Sequence, residues 1–430
     1  MNNIPPAVVV VAYNRPAPLQ RLLQSLSQAK YQGSVPLIIS IDHSGSDEVR
    51  VVAEAFPWAH GPKRVIAHES RLGLRPHILK CGDLVEEFGA VIILEDDLTV
   101  SPAYYDFVLQ ALAVYSGEEQ VCGISLYRNY TNPEFKPKGM ELMFSPVQDG
   151  FDNFFLQHVS SWGQCWTRDQ WHGFRQWLAQ RPENAPADNS LLPPSIRPWS
   201  DASSWAKFFQ LYMLERDKYF VFPQVALSTN WGESGANFGS DTSRYQVPLL
   251  LETRQWKFSR LSESLSIYDV QFEIVPTCLK RANPAIAPFD FETDLCGVKE
   301  LDRVRKPYLL TSRETDPGVI SFGASLFPME MNVFLRSEGT GINLVETAAL
   351  LKGPAQSQKQ GAGTAAFRFQ TQARNLQKVL NFEEQKNELK RLKTELKAAR
   401  HDLQKQPIRA WLRVRKLLKD AFTKGSSRAS

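Results

Sequence analysis

Three consecutive carboxylates, Glu95, Asp96 and Asp97, follow directly on the apolar run 90–94 (AVIIL). Like charges this close are costly unless a cation joins them. A hard divalent ion such as Mn²⁺ or Mg²⁺ accepts carboxylate oxygens and still leaves positions for phosphate oxygens. Two other readings stand beside this one: a charged strand terminus capping the next helix, and a two-metal hydrolase. The His and Asp clusters that would complete a hydrolase site are absent from the sequence. Asp42 ends a second apolar run, 35–41 (VPLIISI), and Arg15 follows a third, 7–12 (AVVVVA). Where such strand ends converge on one crevice, Asp42 can accept hydrogen bonds from a base or ribose, and Arg15 can face a nucleotide. The local alternative is an Asx-turn at Asp42 and a solvated turn residue at Arg15. No GxGxxG follows the first run, which argues against a dinucleotide fold, and no GxxxxGK[ST] supports a P-loop.

The elements that must position these residues are legible over the first 90 or so residues. The run 7–12 is continuous and β-branched, as a buried parallel strand requires. Leu19, Leu22, Leu23 and Leu26 then recur at helical spacing. Strand 35–41 leads to a helix with Val49, Val52, Ala53 and Phe56 on one face. Val65 and Ile66 suggest a short third strand, 77–88 a helix and 90–94 a fourth strand. This alternation predicts an α/β open, mostly parallel sheet with helices on both faces, and such sheets bind ligands at the carboxyl ends of their strands.

Further along, 102–116 reads as an aromatic-rich helix and 120–126 as a strand. Residues 127–256 are dense in aromatics. Phe151, Phe154, Phe155, Trp162, Trp166, Trp171 and Trp177 offer faces for sugar stacking, although most aromatics are core residues; Trp162 is the candidate pocket wall. His158 and His172 are too isolated for a zinc site. The segment 181–200 reads as a loop, 204–216 as a helix and 219–227 as a strand approach. Gly232, Gly235 and Gly239 suggest a flexible loop near phosphates, or turns that need positive φ. Strand-like alternation recurs at 270–278 and 318–346. The resulting division is 1–125 for an α/β half, 126–256 for an aromatic-rich half, 257–351 for an accessory strand-rich region, 352–365 for a linker and 366–430 for a basic helical tail.

The chain has 430 residues, 43% hydrophobic and 22% charged, as expected of globular domains. Its formal charge of +4 is unevenly spread. Residues 371–430 hold 16 Lys or Arg against 6 Asp or Glu, so the rest of the chain is mildly acidic. The basicity is therefore no nucleic-acid signature for the whole protein. The opening MNNIPPAVVVVAYNRP is a poor signal peptide and no run approaches a membrane-spanning length. Five scattered cysteines make neither a disulfide framework nor a metal knuckle. A cytoplasmic setting is expected, with contact at the inner face of the cell membrane as a variant of it.

Four stretches carry a resemblance. VVVVAYNRPAPLQRLLQSL, PLIISIDHSGSDEVRVVAEAF, LGLRPHILKCGDLVEEFGAVIILEDDLTVSPAYYDF and, more loosely, VSSWGQCW with FPQVALSTNWGESGANFG resemble the GT-A class of nucleotide-sugar glycosyltransferases. In detail they are similar to the N-acetylglucosaminyltransferase I family and its microbial relatives. The resemblance covers about 1–240, with EDD standing for the usual DxD. It implies that Arg15 and Asp42 contact the nucleotide and that Glu95 and Asp96 hold the nucleoside or sugar region. Asp97 would be the direct metal ligand, with Ser228, Gly232 and Gly235 on the donor side. Asp201, in PWSDASSW, is the best match for the catalytic base, with Asp188 and Asp169 as rivals; the interval from Asp201 to Ser228 is longer than the family pattern.

The implied reaction is inverting transfer from a nucleotide diphosphate sugar, UDP-GlcNAc by family default, to a glycan or lipid-linked acceptor. The alternative is an inactive relative acting as a sugar-binding or scaffold module. In the tail, Leu389, Leu392, Leu396, Ala399 and Leu403 trace a heptad-like stripe suited to a homo-oligomer. After Pro407, IRAWLRVRKLLKDAFTK combines six basic residues with Ile408, Trp411, Leu412, Leu418 and Phe422. That combination is compatible with lying on an anionic membrane surface.

Overall fold

The computed structural model describes residues 5–135, 141–182, 186–235, 241–352, 386, 388–398, 401 and 407–426. Residues 1–367 cluster as one compact unit and 368–430 as a second. The first unit is built on a nine-stranded sheet. Strand β1 (Ala7–Ala12) is buried along its whole length, as its β-branched run demands. Helix α1 (Pro16–Ser27) starts on Pro16, whose fixed φ suits a first turn, and buries Leu19, Leu22, Leu23 and Leu26. Then follow β2 (Leu37–Ile41), α2 (Glu48–Ala55), β3 (Lys63–Ala67), α3 (Leu74–Gly82) and β4 (Ala90–Glu95). Strands β3, β2, β1 and β4 are neighbours in that order, all parallel, with Val11 opposite Glu95. Their carboxyl ends therefore share one edge, as the sequence alternation predicts.

Beyond β4 the sheet is mixed. After β5 (Leu98–Val100) and α4 (Tyr104–Tyr115) come β6 (Val121–Ser125), β7 (Asn153–Leu156) and β8 (Gln164–Thr167). Helices α5 (Arg168–Ala179) and α6 (Trp205–Glu215) lead to β9 (Tyr219–Pro223), β10 (Ser228–Asn230) and β11 (Ile267–Tyr268). The complete order is β11-β7-β9-β6-β8-β4-β1-β2-β3. Strand β8 runs antiparallel to both β4 and β6, between them. A separate antiparallel ribbon pairs β10 with β5, Asn230 opposite Leu98. Of the strand approach expected at 219–227, only 219–223 is strand; it ends at Pro223, which has no backbone donor, and β10 begins beyond it at Ser228.

Most of the aromatics pack the interior. Trp166, Trp171, Phe174, Trp205 and Phe209 are buried in mutual contact between β8, α5 and α6. Phe154 and Phe155 are buried on β7. The alternation expected at 270–278 is interrupted: a turn held by the Asp269 carboxylate, which accepts from the Gln271 and Glu273 amides, leads into a helix opening on Pro276. Downstream, β12 (Phe291–Asp294), β13 (Tyr308–Thr311), β14 (Ile320–Phe322) and β15 (Ile342–Glu346) form a four-stranded sheet in the order β12-β13-β15-β14.

In the second unit, residues 388–398 are helical and α7 (Pro407–Ser426) begins at Pro407 itself, a residue suited to the first turn. Ala399 and Leu403, and the linker beyond Lys352, lie outside the described residues, as does Gly239. Among the described residues, no helix is long and apolar enough to cross a membrane.

Candidate active site

Glu95 ends β4, and the chain turns through Asp96 and Asp97 into β5. The Asp96 amide donates to Val11 O at 3.1 Å, which fixes the turn against the end of β1. Arg15, just past β1, pairs with Asp96 and reaches Asp97 Oδ2 at 3.1 Å. Asn230, at the end of β10, donates to Asp97 Oδ1 at 3.2 Å and accepts from the Gly232 amide at 2.6 Å. The backbone amide of Trp231 donates to Asp97 O at 3.1 Å. One carboxylate is therefore oriented from two sides, by a guanidinium and by a buried amide.

The electrostatics record the crowding. Burial raises the Glu95 carboxyl, and the charges of Asp97 and Asp96 raise it further, to about 8 despite Arg15. Burial likewise lifts Asp96, Arg15 opposes it, and the result is about 6. A single guanidinium does not neutralise this turn. The donor set consists of hard oxygens, which fits a divalent cation. Among the described residues, no three or more His, Cys, Asp or Glu side chains close into a protein cage. An ion held by Asp97 with Asp96 beside it would keep positions for phosphate oxygens and water.

Asp42, at the end of β2, is buried and engaged with backbone. Its Oδ1 accepts from the His43 and Leu72 amides at 2.9 and 2.7 Å, and Oδ2 from Gly73 at 2.9 Å. Burial pushes its carboxyl up, but these three donors outweigh that and hold it below its ordinary value. The contact to His43 is one residue on rather than the two of an Asx-turn, and the contacts to Leu72 and Gly73 pin the start of α3. Two residues on, Arg75 donates to the Asp201 carbonyl at 2.9 Å and lies over the Phe208 ring. Asp201 precedes α6, and its Oδ1 sits 2.9 Å from Nζ of the buried Lys207. Lys207 also donates to Arg197 O and Trp199 O, both at 2.9 Å, so it anchors the whole loop. The Asp201 side chain keeps 38% of its surface exposed.

The rivals for the base are placed differently. Asp169 lies in the first turn of α5, just after Thr167, which pairs with Ala90 at the opposite edge of the sheet from Glu95. Asp188 is an exposed loop residue that accepts from the Ser190 amide at 2.8 Å.

The remaining predicted residues lie along β10 and the loop that follows it. The Ser228 hydroxyl is buried and donates to Trp162 O at 2.5 Å, an internal tie. Gly232 has φ +65°, and a Cβ there would meet Thr242 O at 1.9 Å, so glycine is required by close backbone approach. A Cβ on Gly235 would lie 3.1 Å from Arg15 Nη1, which places this glycine directly against the site's cation. Trp231 holds the loop through Thr99 Oγ1 at 2.7 Å and through Arg21, stacked on its ring and paired with Glu233. Trp162 is half-buried between Tyr127 and Tyr245, two residues before β8 on the carboxyl side of β4. Sequence reasoning missed Asn230, Arg75 and Lys207. Asn230 stands inside the quoted stretch FPQVALSTNWGESGANFG, but no spacing rule marks it.

A mostly parallel sheet with an acidic turn at its carboxyl edge, faced by an arginine just past the first strand, fits the GT-A class of nucleotide-sugar glycosyltransferases. Residues 7–171 match the family described as Glycosyl transferase family 2, which supports a glycosyltransferase. A curated relative, the alpha-1,3-mannosyl-glycoprotein 2-beta-N-acetylglucosaminyltransferase of Arabidopsis thaliana, is 22% identical over 275 residues. The match covers 58% of this chain and 53% of the relative, so the chain spans about half of that relative's length. Two solved structures are more distant. One is GalNAc-T7 with UDP, GalNAc and Mn²⁺, at 12% identity and TM-score 0.35, covering 52% of this chain and 43% of that one. The other is S. aureus TarS 1-349 in complex with UDP-GlcNAc, at 11% and 0.32, covering 53% and 59%.

Proposed function

We propose that the protein is an inverting, divalent-metal-dependent glycosyltransferase that moves a sugar from a nucleotide diphosphate donor, a UDP-sugar such as UDP-GlcNAc, to a hydroxyl of a glycan or lipid-linked acceptor. The observation that carries this reading is the convergence of Arg15, Asn230 and the Gly232–Gly235 segment on Asp96 and Asp97 at the sheet's carboxyl edge. Asp97, with Asp96 beside it, would hold Mn²⁺ or Mg²⁺, which when bound supplies charge stabilisation to the leaving diphosphate. Arg15 adds a fixed positive charge at the same place. Asp42 acts through the loop it organises, by shaping the nucleotide side of the crevice.

Asp201 is the proposed general base. Lys207 fixes one of its oxygens, and the exposed remainder can take the proton of the acceptor hydroxyl. The acceptor oxygen then forms the bond to the sugar's anomeric carbon as the carbon–phosphate oxygen bond breaks on the opposite side. The electron pair leaves with the diphosphate, and the anomeric configuration inverts. Trp162 would wall the acceptor side. A cytoplasmic setting belongs to this reading and is supported by five free thiols, four of them buried.

The test is calorimetric titration of UDP, GDP and dTDP sugars with and without Mn²⁺, followed by NMR of the product's anomeric proton. Metal-dependent binding of one donor and an inverted product are expected. Failure of every donor to bind in the presence of metal would leave the inactive, scaffold-like reading.

A further inference from the structure

Helix α7 divides its surface in two. On a helix of 3.6 residues per turn, Trp411, Val414, Leu417 and Leu418 fall on one half, while Arg413, Lys416, Lys419 and Asp420 fall on the other. Arg415 lies on the border, its guanidinium 5.4 Å from the Trp411 ring centroid. Part of the apolar half is in water: Trp411 is 55% and Leu418 48% exposed, while Val414 and Leu417 are half-buried. Leu412, 56% exposed, is the one apolar residue among the basic ones.

The apolar half is broad, unlike the narrow seam of a coiled coil. The stripe at Leu389, Leu392 and Leu396 has that narrower seam, and there acidic Glu388 and Glu395 flank Arg391 in an ion-pair ladder. On α7 the described polar half and its border hold four basic residues, Arg413, Arg415, Lys416 and Lys419, against Asp420 alone. A second copy packed apolar half on apolar half would turn these charges away from the contact, whereas an anionic surface complements them. An indole and branched aliphatics on one side, with long cationic side chains on the border and beyond, match the boundary between headgroups and acyl chains.

From these features we infer that α7 is a monotopic membrane anchor that lies flat on bilayers containing anionic lipid. Trp411, Val414 and Leu418 enter the acyl boundary, and Arg413, Arg415, Lys416 and Lys419 meet phosphate headgroups. The inference stands whether or not the glycosyl-transfer assignment holds. It places the protein beside lipid-linked substrates if that assignment is right.

The test is co-sedimentation of the full chain with vesicles of phosphatidylcholine alone and with vesicles containing phosphatidylglycerol, accompanied by mass measurement in solution. Binding to the anionic vesicles is expected to exceed binding to the neutral ones by at least ~10-fold, and to weaken in high salt. Arg415→Gln/Lys416→Gln/Lys419→Gln should lower anionic binding by roughly fivefold per charge. Val414→Glu/Leu418→Glu should abolish it, with the circular dichroism of the body unchanged. Equal binding to both vesicle types would overturn the proposal. So would no binding to either, or a dimer in solution that Val414→Glu/Leu418→Glu converts to monomer without any effect on vesicles.

Discussion

Two acidic clusters among the described residues are built on opposite principles. At the carboxyl edge of the large sheet, Glu95, Asp96 and Asp97 share one guanidinium, from Arg15, and one side-chain amide, from Asn230. At the end of the four-stranded sheet where β12 and β13 finish, Asp294 is fully buried yet receives the Lys299 amide at 2.8 Å, Thr311 Oγ1 at 3.1 Å and Arg313 Nε at 2.5 Å. Arg313 Nη2 donates to Gly297 O and Lys299 O, at 3.0 and 2.7 Å. Glu273 accepts from the Leu295 and Cys296 amides, both at 2.8 Å, and Lys299 pairs with Asp269 and Glu292 at 2.9 and 3.3 Å. The second cluster is satisfied from within and holds loops to a sheet. The first lies at an open edge with its charge only partly met. Acidity alone therefore distinguishes nothing; the supply of internal donors separates a structural cluster from one prepared for a cationic guest.

The largest test of this contrast is Asp97→Ala, which should abolish turnover and metal-dependent donor affinity while the melting temperature stays at the wild-type value. Unchanged affinity would sink the assignment of the edge cluster. Next, Asp201→Asn should keep donor binding and cut transfer by about 10²–10⁴-fold. If Asp188→Asn shows that loss instead, the base has been misassigned. Arg313→Met should do the reverse of Asp97→Ala. It strands a buried carboxylate at a cost of about 3–5 kcal/mol of stability, read from urea midpoints, with donor affinity intact wherever the protein remains folded. The smallest effect concerns His77, buried behind Asp42 and bonded to Ser40 Oγ at 2.8 Å. Burial lowers its pKa to about 4, from an ordinary 6.5. Between these values the unfolded chain takes up the proton first, so stability falls as pH drops from 6.5 toward 4, by at most ~1.4 kcal/mol per pH unit. His77→Gln should flatten that slope; an identical slope would show that the imidazole is not held neutral.

Much of the edge cluster was legible because its elements are local. A β-branched run, a leucine helix and an acidic run directly after AVIIL are readable within windows of about ten residues. The EDD turn and Arg15 were found this way, and Asp42 as well, although its oxygens turn out to be engaged with Leu72 and Gly73 rather than open. Asn230 and Lys207 were not legible, since their importance comes from partners distant in sequence or from backbone carbonyls. The sequence also gave no warning of the antiparallel strands in the sheet. Strand β8 is four residues long and reads QCWT, too short and mixed for periodicity to reveal its neighbours. The cluster around Arg313 was invisible for a related reason. Asp294, Lys299, Thr311 and Arg313 look like ordinary surface residues until the fold buries them.

The position of β8 has a consequence for the order in which the chain can be made. Strands β4 and β6 are joined through β8, not directly to each other, and β8 ends at Thr167. During synthesis, the first four parallel strands can assemble once Glu95 has emerged, but their sheet then has an open apolar flank at β4. That flank stays unpaired while some 70 further residues are added, roughly four to fourteen seconds at ordinary translation rates. An unpaired strand edge held open for this long is a template for wrong partners. In the interval between residues 95 and 167 the β4 flank of the nascent protein is therefore open to wrong pairing. The family match, 7–171, ends four residues after the strand that closes this gap.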